Sequence, residues 1–323
     1  MNVHAAALNP AQRFDEPASA FAQDAIEGLS SHPKRLSPKY FYDAEGSALF
    51  EQITGLPEYY PTRTELGILR DRATEIGAMI PQGAALVEFG AGSTAKVRTL
   101  LPDCALGAYV PVDISGDFLN AQAAALRQDF PELAVYPVTA DFTAPFALPH
   151  TVRELPKVGF FPGSTIGNFE PFEACGFLRS ARAILGAEAT LLIGVDLEKD
   201  DRVLSAAYND AAGVTAKFNL NVLARINREL DGDFELSAFV HRAIYNRERH
   251  RIEMHLISRT AQTAHLLGHS ITFRAGETIH TESSYKYSVE RFNALARGAG
   301  WTPRALWTDA DGMFSVHALA AAE

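Results

Sequence analysis

The residues best suited to chemistry fall in a few short stretches. Phe160-Phe161-Pro162-Gly163-Ser164-Thr165-Ile166-Gly167-Asn168-Phe169 sets two glycines, two hydroxyls and an amide after an apolar run. Asn168 offers both a donor and an acceptor, so with the Gly163 backbone it suits a zwitterion. The competing reading is a turn shaped by Gly163 and Gly167, with Asn168 capping the next helix. Tyr208-Asn209-Asp210 is either a polar helix junction or part of a site. In the hydroxyl-rich strand end Thr281-Glu282-Ser283-Ser284-Tyr285-Lys286-Tyr287, Glu282 is either a surface charge or a carboxylate aimed at a cationic or N–H-bearing substrate. Leu86-Val87-Glu88-Phe89-Gly90-Ala91-Gly92-Ser93-Thr94 reads as a buried strand, a tight turn and a helix start. Glycines there let a ligand approach the backbone where no Cβ stands. Asp113 ends a second strand about 20 residues beyond that turn, where an acid takes ribose hydroxyls. Asp141-Phe142 ends a third, pairing an acid for the adenine amine with a ring for its face. The third glycine of the dinucleotide fingerprint is absent. Ribose and adenine contacts without a diphosphate grip indicate S-adenosylmethionine rather than a nicotinamide dinucleotide.

Other chemistries fit less well. His241, His250, His255, His265, His269 and His280 are scattered without metal-ligand spacing, so no metal is expected. Ser93, Ser164 and Ser205 lack the nucleophile-elbow context of a hydrolase. A net charge of −10 with no basic tract argues against nucleic-acid binding. Cys104 and Cys175 form no disulfide framework, which fits a reducing compartment. No apolar run is long enough for a membrane span, and no secretion signal is evident. These features lead to the expectation of a cytoplasmic enzyme acting on a small molecule.

The elements that must position these residues follow from periodicity. Residues 1 to 17 carry no clear period, and helices are expected over 21–29, 46–53 and 64–80. Two Pro-framed aromatic loops, around Tyr42 and Tyr59, either pack half-buried or form a lid over a ligand. Strands over 86–89, 107–112, 133–138, 158–161 and 190–195 alternate with helices over 94–102, 116–129 and 171–185. Such alternation predicts an α/β fold, a mostly parallel sheet with helices on both faces. Residues 200–230 are helical, and alternating stretches over 238–245, 251–259, 270–273 and 278–284 predict antiparallel strands. A helix over 292–299 and a hairpin turning at Asp309-Ala310-Asp311-Gly312 close the chain. The division expected is a cofactor-binding domain of 61–199 and 287–323, with a smaller α+β substrate lobe of 18–60 and 200–286.

Five motifs in order make the chain resemble the histidine-specific S-adenosylmethionine-dependent methyltransferases of ergothioneine biosynthesis. They are Pro38-Lys39-Tyr40-Phe41-Tyr42-Asp43, Leu56-Pro57-Glu58-Tyr59-Tyr60-Pro61-Thr62-Arg63, Gly163-Ser164-Thr165-Ile166-Gly167-Asn168, Tyr208-Asn209-Asp210-Ala211-Ala212-Gly213-Val214-Thr215 and Arg251-Ile252-Glu253-Met254. The resemblance implies a class I (Rossmann-like) methyltransferase sheet, a monomer, and trimethylation of the α-amino group of L-histidine to hercynine. It implies cofactor contacts from Gly90, Lys96, Asp113, Asp141 and Phe142, beside Glu88 and Gly92 of the glycine turn. It implies that Tyr42, Tyr59, Gly163, Asn168 and Tyr208 surround the amine and carboxylate, with Tyr42 and Asn168 nearest the chemistry. Glu282 and Ser284 are expected to face the imidazole, and Met254 to line its pocket. Variation around the cofactor glycines and Pro162 before Gly163 are mild departures. The alternatives are the same N-methylation of another amino acid, such as tryptophan, or a non-catalytic amino-acid-binding relative.

Overall fold

The computed structural model describes residues 19–322, so the stretch without period at 1–17 lies outside the described residues. Helix α1 (Ala20–Ser30) starts at Ser19, whose hydroxyl accepts from the Ala22 N–H, and leads to a two-residue strand β1 (Lys34–Arg35). A short 3-10 turn then delivers Tyr42 to the start of α2 (Ala44–Thr54). Asp43 caps α2, accepting from the Gly46 N–H at 2.7 Å. Helix α3 (Tyr60–Asp71) carries Pro61 in its first turn, where no intrahelical N–H is lost. One helix was expected over 64–80; the chain instead breaks at Arg72 (φ −118°) before α4 (Ala73–Gly77). Between buried Leu69 and Ile76 the sequence offers only polar residues and Ala73, so nothing holds that turn to the core.

The α/β core follows as β2 (Ala85–Phe89), α5 (Ala95–Leu100), β3 (Ala108–Asp113), α6 (Gly116–Asp129), β4 (Val138–Thr139), β5 (Lys157–Phe161), α7 (Pro171–Leu185) and β6 (Thr190–Asp196). The strand expected over 133–138 shrinks to β4 and an isolated bridge between Tyr109 and Val135, because Pro137 has no N–H for a ladder. The helical stretch expected over 200–230 is two helices, α8 (Asp201–Tyr208) and α9 (Val214–Glu229), separated at Gly213 (φ +70°). Then come β7 (Phe239–Asn246), β8 (Arg251–Ser258), β9 (Gln262–Leu266), β10 (His269–Phe273) and β11 (Thr278–Tyr285). Strand β9 was not among the expected strands; among the described residues it pairs with β10 alone. Helix α10 (Val289–Gly298) and the hairpin β12 (Trp301–Thr308), β13 (Phe314–Ala321) finish the described chain.

The large sheet runs β12-β13-β6-β5-β2-β3-β4. Strands β2 to β6 pair in parallel, whereas β13 runs antiparallel to both β6 and β12. That mixed sheet is the class I methyltransferase arrangement. All five residues of β2 are buried, as a strand covered on both faces requires. Val87, Phe89, Phe161 and Phe177 pack in one core, and Leu86, Tyr109, Phe160 and Leu192 in another on the opposite face. A third core draws on residues 21–60 and 204–279, including Phe41, Phe218, Leu223 and Leu256. It lies with a four-stranded sheet of order β1-β11-β8-β7. Among the described residues, no helix is long and apolar enough to cross a membrane.

Candidate active site

The carboxyl ends of the parallel strands open into a cleft of about 1270 Å³ that every expected cofactor residue lines. Gly90 has φ +74°, and a Cβ there would stand 3.4 Å from the Phe142 ring. Any side chain at this turn would be strained and would narrow the cleft. At the end of β3, Asp113 accepts from the Ser115 N–H at 2.8 Å, and burial raises its pKa. Asp141 accepts from the Thr143 amide and hydroxyl, fixing its loop. Phe142 meets Phe161 and Phe177 edge-on at 5.7 and 5.8 Å. Gly92 lies on the same cleft with open space at its Cβ position. Glu88 is buried and accepts from the Tyr109 hydroxyl at 2.6 Å; burial pushes its carboxyl up to about 8 despite that bond.

Lys96 is anchored by Glu65, a residue the reading above overlooked. The Lys96 Nζ lies 2.7 Å from Glu65 Oε2. The same carboxylate accepts from the Gly163 N–H at 2.9 and 3.0 Å. Glu65 therefore joins the cofactor cleft to the loop that carries Asn168. Its sequence signal was a charge on the apolar face of a helix, at the spacing of Pro61, Ile68 and Leu69.

A smaller inner cavity of about 60 Å³ shares Tyr42, Tyr59, Gly163, Asn168 and Glu282 with the cleft. The other residues expected at a substrate, Tyr208, Met254 and Ser284, line it as well. Tyr42 and Tyr59 join an aromatic wall with Phe50 and Phe218, which meets Tyr42 at 5.7 Å and Phe50 at 5.9 Å. Phe50 was missed because it reads as an ordinary apolar helix position. The Tyr42 loop is tied to the cofactor side through its carbonyl, which accepts from the Ser115 hydroxyl at 2.9 Å. Burial, then the nearby Glu282 carboxyl, pushes the Tyr42 phenol well above its ordinary range.

The Gly163–Asn168 loop is held tightly. Gly163 has φ +83° and Ser164 adopts the left-handed region at φ 56°, with its Oγ accepting from the Asp196 N–H at 2.9 Å. A Cβ at Gly167 would stand 2.7 Å from the Tyr285 carbonyl. Helix α7 is capped by Glu170 in a reciprocal box with Glu173, so Asn168 is not the cap. The Asn168 amide has no hydrogen-bond partner among the described residues and borders both cavities.

Tyr208-Asn209-Asp210 is both junction and site. Asp210 accepts from the Val214 and Thr215 amides at 2.8 Å each, capping α9, while Tyr208 projects into the cavity and donates to Ser284 Oγ at 2.8 Å. On β11 the register against β8 slips between His280 and Glu282, after which Glu282 stands opposite Met254. The two-residue period then puts Glu282, Ser284 and Lys286 on one face. Glu282 is buried without a hydrogen-bond partner among the described residues, and burial pushes it up to about 7 against the pull of Lys286. Asp196 also lines this cavity and was not foreseen, and so does Lys286, which stood in the hydroxyl-rich stretch without an expected role. Asp196 ends an apolar strand just as Asp113 does, and that pattern was the missed signal.

S-adenosylmethionine fits what these residues supply: an acid at the end of β3, a glycine turn without Cβ, a lysine and an aromatic edge around one cleft. Among the described residues, no group of three or more histidines, cysteines or acids is arranged to hold a metal.

The chain was compared with known proteins. The family described as "Histidine-specific methyltransferase, SAM-dependent" matches residues 21–321. A histidine N-alpha-methyltransferase of Mycolicibacterium smegmatis is 44% identical over 309 residues, covering 94% of this chain and 95% of that one. Its namesake in Mycobacterium tuberculosis is 40% identical, covering 92% and 94%. Ergothioneine biosynthesis protein 1 of Neurospora crassa is 33% identical over 85% of this chain but only 32% of its own length. The likeness runs from α1 to β13 and spans both cavities. The chain belongs to the histidine-specific, S-adenosylmethionine-dependent methyltransferases.

Proposed function

We propose that the protein trimethylates the α-amino group of L-histidine to hercynine, the first step of ergothioneine biosynthesis. The observation that carries the substrate reading is Glu282, a buried carboxyl without a partner at the wall of the inner cavity. A carboxyl there leaves an acceptor waiting for a ring N–H, and a charge-assisted bond to it contributes roughly 1.5–3 kcal/mol. Residues 61–199 and 287–323 are assigned to the cofactor, and 18–60 and 200–286 to the amino acid.

The cofactor supplies an activated sulfonium methyl, with Asp113 taking its ribose, Asp141 and Phe142 its adenine, and Lys96, Gly90, Gly92 and Glu88 completing the cleft. The chain's own residues do the positioning. Tyr42, Tyr59, Gly163, Asn168 and Tyr208 hold the amine and carboxylate of the substrate. Orientation of this kind contributes roughly 7–11 kcal/mol to lowering a bimolecular barrier. The amine has to be neutral, since an ammonium has no lone pair. Tyr42 stays a phenol at neutral pH, so its oxygen accepts an amine hydrogen rather than acting as a phenolate base. Tyr42, Phe50 and Phe218 present ring surface to the cationic product, a contact of roughly 0.5–2 kcal/mol.

The test is mass spectrometry after incubation with S-adenosylmethionine and each of the twenty amino acids separately. Three methyl groups added to L-histidine alone is the expected result. Methylation of tryptophan instead would remove the imidazole role of Glu282. Cofactor binding without any methylation would leave an amino-acid-binding protein.

A further inference from the structure

Lys286 is the cavity residue whose task the substrate reading leaves open. Its Nζ is 2.8 Å from Asp196 Oδ2, 2.8 Å from Ser284 Oγ and 3.1 Å from the Tyr208 hydroxyl, and the side chain is 1% exposed. An ammonium has three protons and no lone pair, so these contacts use it completely. Tyr208 also donates to Ser284 Oγ at 2.8 Å, the phenol being the more acidic of the two hydroxyls. Ser284 thus accepts twice, from Lys286 and from Tyr208. Both its lone pairs are filled, and only its own proton remains to offer the cavity. Two residues earlier, Glu282 is the unpartnered acceptor.

We propose that Lys286 is a specificity-determining positioning residue, which fixes Ser284 as a donor so that the ring subsite accepts the neutral imidazole and rejects imidazolium. The proposal rests on L-histidine being the substrate. A neutral imidazole brings one N–H for Glu282 and one lone pair for the Ser284 proton. Imidazolium brings two N–H donors, and the second would meet another donor. Without Lys286, Ser284 regains a lone pair and the distinction is lost.

The groups facing this subsite are few. Asp196 ends β6 and Lys199 follows it; burial disfavours the Asp196 charge, but Lys286 and Lys199 outweigh it and hold its pKa down. Tyr60 of α3 donates to Asp196. Tyr42, Tyr59 and Tyr208 are buried phenols held protonated. Strand β8 contributes uncharged Ile252 and Met254 opposite Ser284 and Glu282. Glu282, at about 7, and Lys199, brought down by burial to about 8, are the groups here that titrate near neutrality, and both meet every ring substrate alike.

The test therefore compares two substrates on one enzyme. L-Histidine is set against its 1,2,4-triazole analogue, whose ring keeps an N–H and an unprotonated nitrogen across the assay range. The ratio of their kcat/KM values cancels titration of Glu282 and of the shared α-amine. In the wild type this ratio should fall about tenfold per pH unit below the imidazole pKa of about 6.5. In K286M/D196N, which removes the Lys286 charge together with its carboxylate partner and leaves Lys199, it should stay within about twofold from about pH 8 to about pH 5. Lys286→Arg should restore the fall. A cofactor-binding measurement and a melting curve establish that the double variant folds; should it not, Ser284→Ala gives the same readout. A wild-type ratio that stays flat or rises on acidification overturns the proposal, as does a fall that survives in K286M/D196N or Ser284→Ala. Methylation of neither substrate would sink the histidine reading itself.

Discussion

Replacing Glu65 by Gln tests whether one buried carboxylate couples the two half-sites. The wild-type group is fully buried and accepts from the Gly163 N–H at 2.9 Å, and Lys96 is 2.7 Å away. Strand β6 packs so closely on it that a Cβ at Gly194 would stand 2.0 Å from Oε1. Gln matches the volume but replaces one of two accepting oxygens, Oε2 facing both Lys96 and Gly163 and Oε1 facing Gly163 at 3.0 Å, and removes the charge. Its NH₂ must therefore point at either the Lys96 ammonium or the Gly163 N–H, both donors. Losing a hydrogen bond to a charged group costs roughly 1.5–3 kcal/mol, a factor of about 10 to 150. Lys96 is 16% exposed and can recover some hydration, so the lower end applies. Calorimetric titration with S-adenosylhomocysteine should show binding weakened about tenfold. The KM for L-histidine should rise by a comparable factor as the Gly163 turn loosens. A folded E65Q protein that binds both ligands within twofold of wild type would refute the coupling.

Asn168→Ala should lower kcat/KM by roughly 1–3 kcal/mol while shifting the melting temperature little, because Glu170 caps α7; a large stability loss with unchanged kinetics would return Asn168 to a structural role. Tyr42→Phe should slow all three transfers without moving the acid limb of the pH–rate profile, since the phenol stays protonated. Wild-type rates across pH would remove its hydroxyl from the mechanism, and a shifted limb would make it a base. Glu88 is a buried acid whose pKa is raised to about 8, so its contribution is full below about pH 4.5 and is lost as pH rises through about 8. Glu88→Gln should flatten that decline, worth at most about 5 kcal/mol, in melting temperatures measured against pH; an unchanged slope would mean Glu88 is not the titrating group.

The strand–helix alternation was legible because buried parallel strands leave apolar runs such as Leu191-Leu192-Ile193 between turn signals. Asp113 could be read because its position relative to the glycine turn is fixed by one βαβ unit. Breaks inside helical patterns were less visible. Arg72 interrupts a stretch with good helix formers on both sides, and Gly213 counts as a tolerable interior glycine until its φ of +70° is known. Strand β9 escaped because its Gln262-Thr263-Ala264-His265-Leu266 carries weak alternation and pairs with one neighbour only. Around the site, residues proposed to offer a group directly to a ligand stood in recognisable motifs. Those that act through another residue showed no such role: Glu65 and Asp196 stood outside every motif, and Lys286 stood in one with no expected task, because their partners lie about 90 to 100 positions away in sequence.

The polar ties between the two sets of segments explain why so many charges are buried here. Tyr60 on α3 donates to Asp196 at the end of β6, Ser115 after β3 holds the Tyr42 carbonyl, and Arg251 on β8 pairs with Glu170 before α7. Burying ions is poor value for stability, since apolar residues of the same volume often serve as well. Directional bonds do something apolar packing cannot: they admit few relative placements of the elements they join. A methyl transfer needs donor and acceptor atoms aligned, and misplacement by about 1 Å costs on the order of a hundredfold in rate. Each tie links a segment assigned to the cofactor with one assigned to the amino acid. The chain thus spends desolvation energy at the seam where alignment is decided, and leaves the cores on either side apolar.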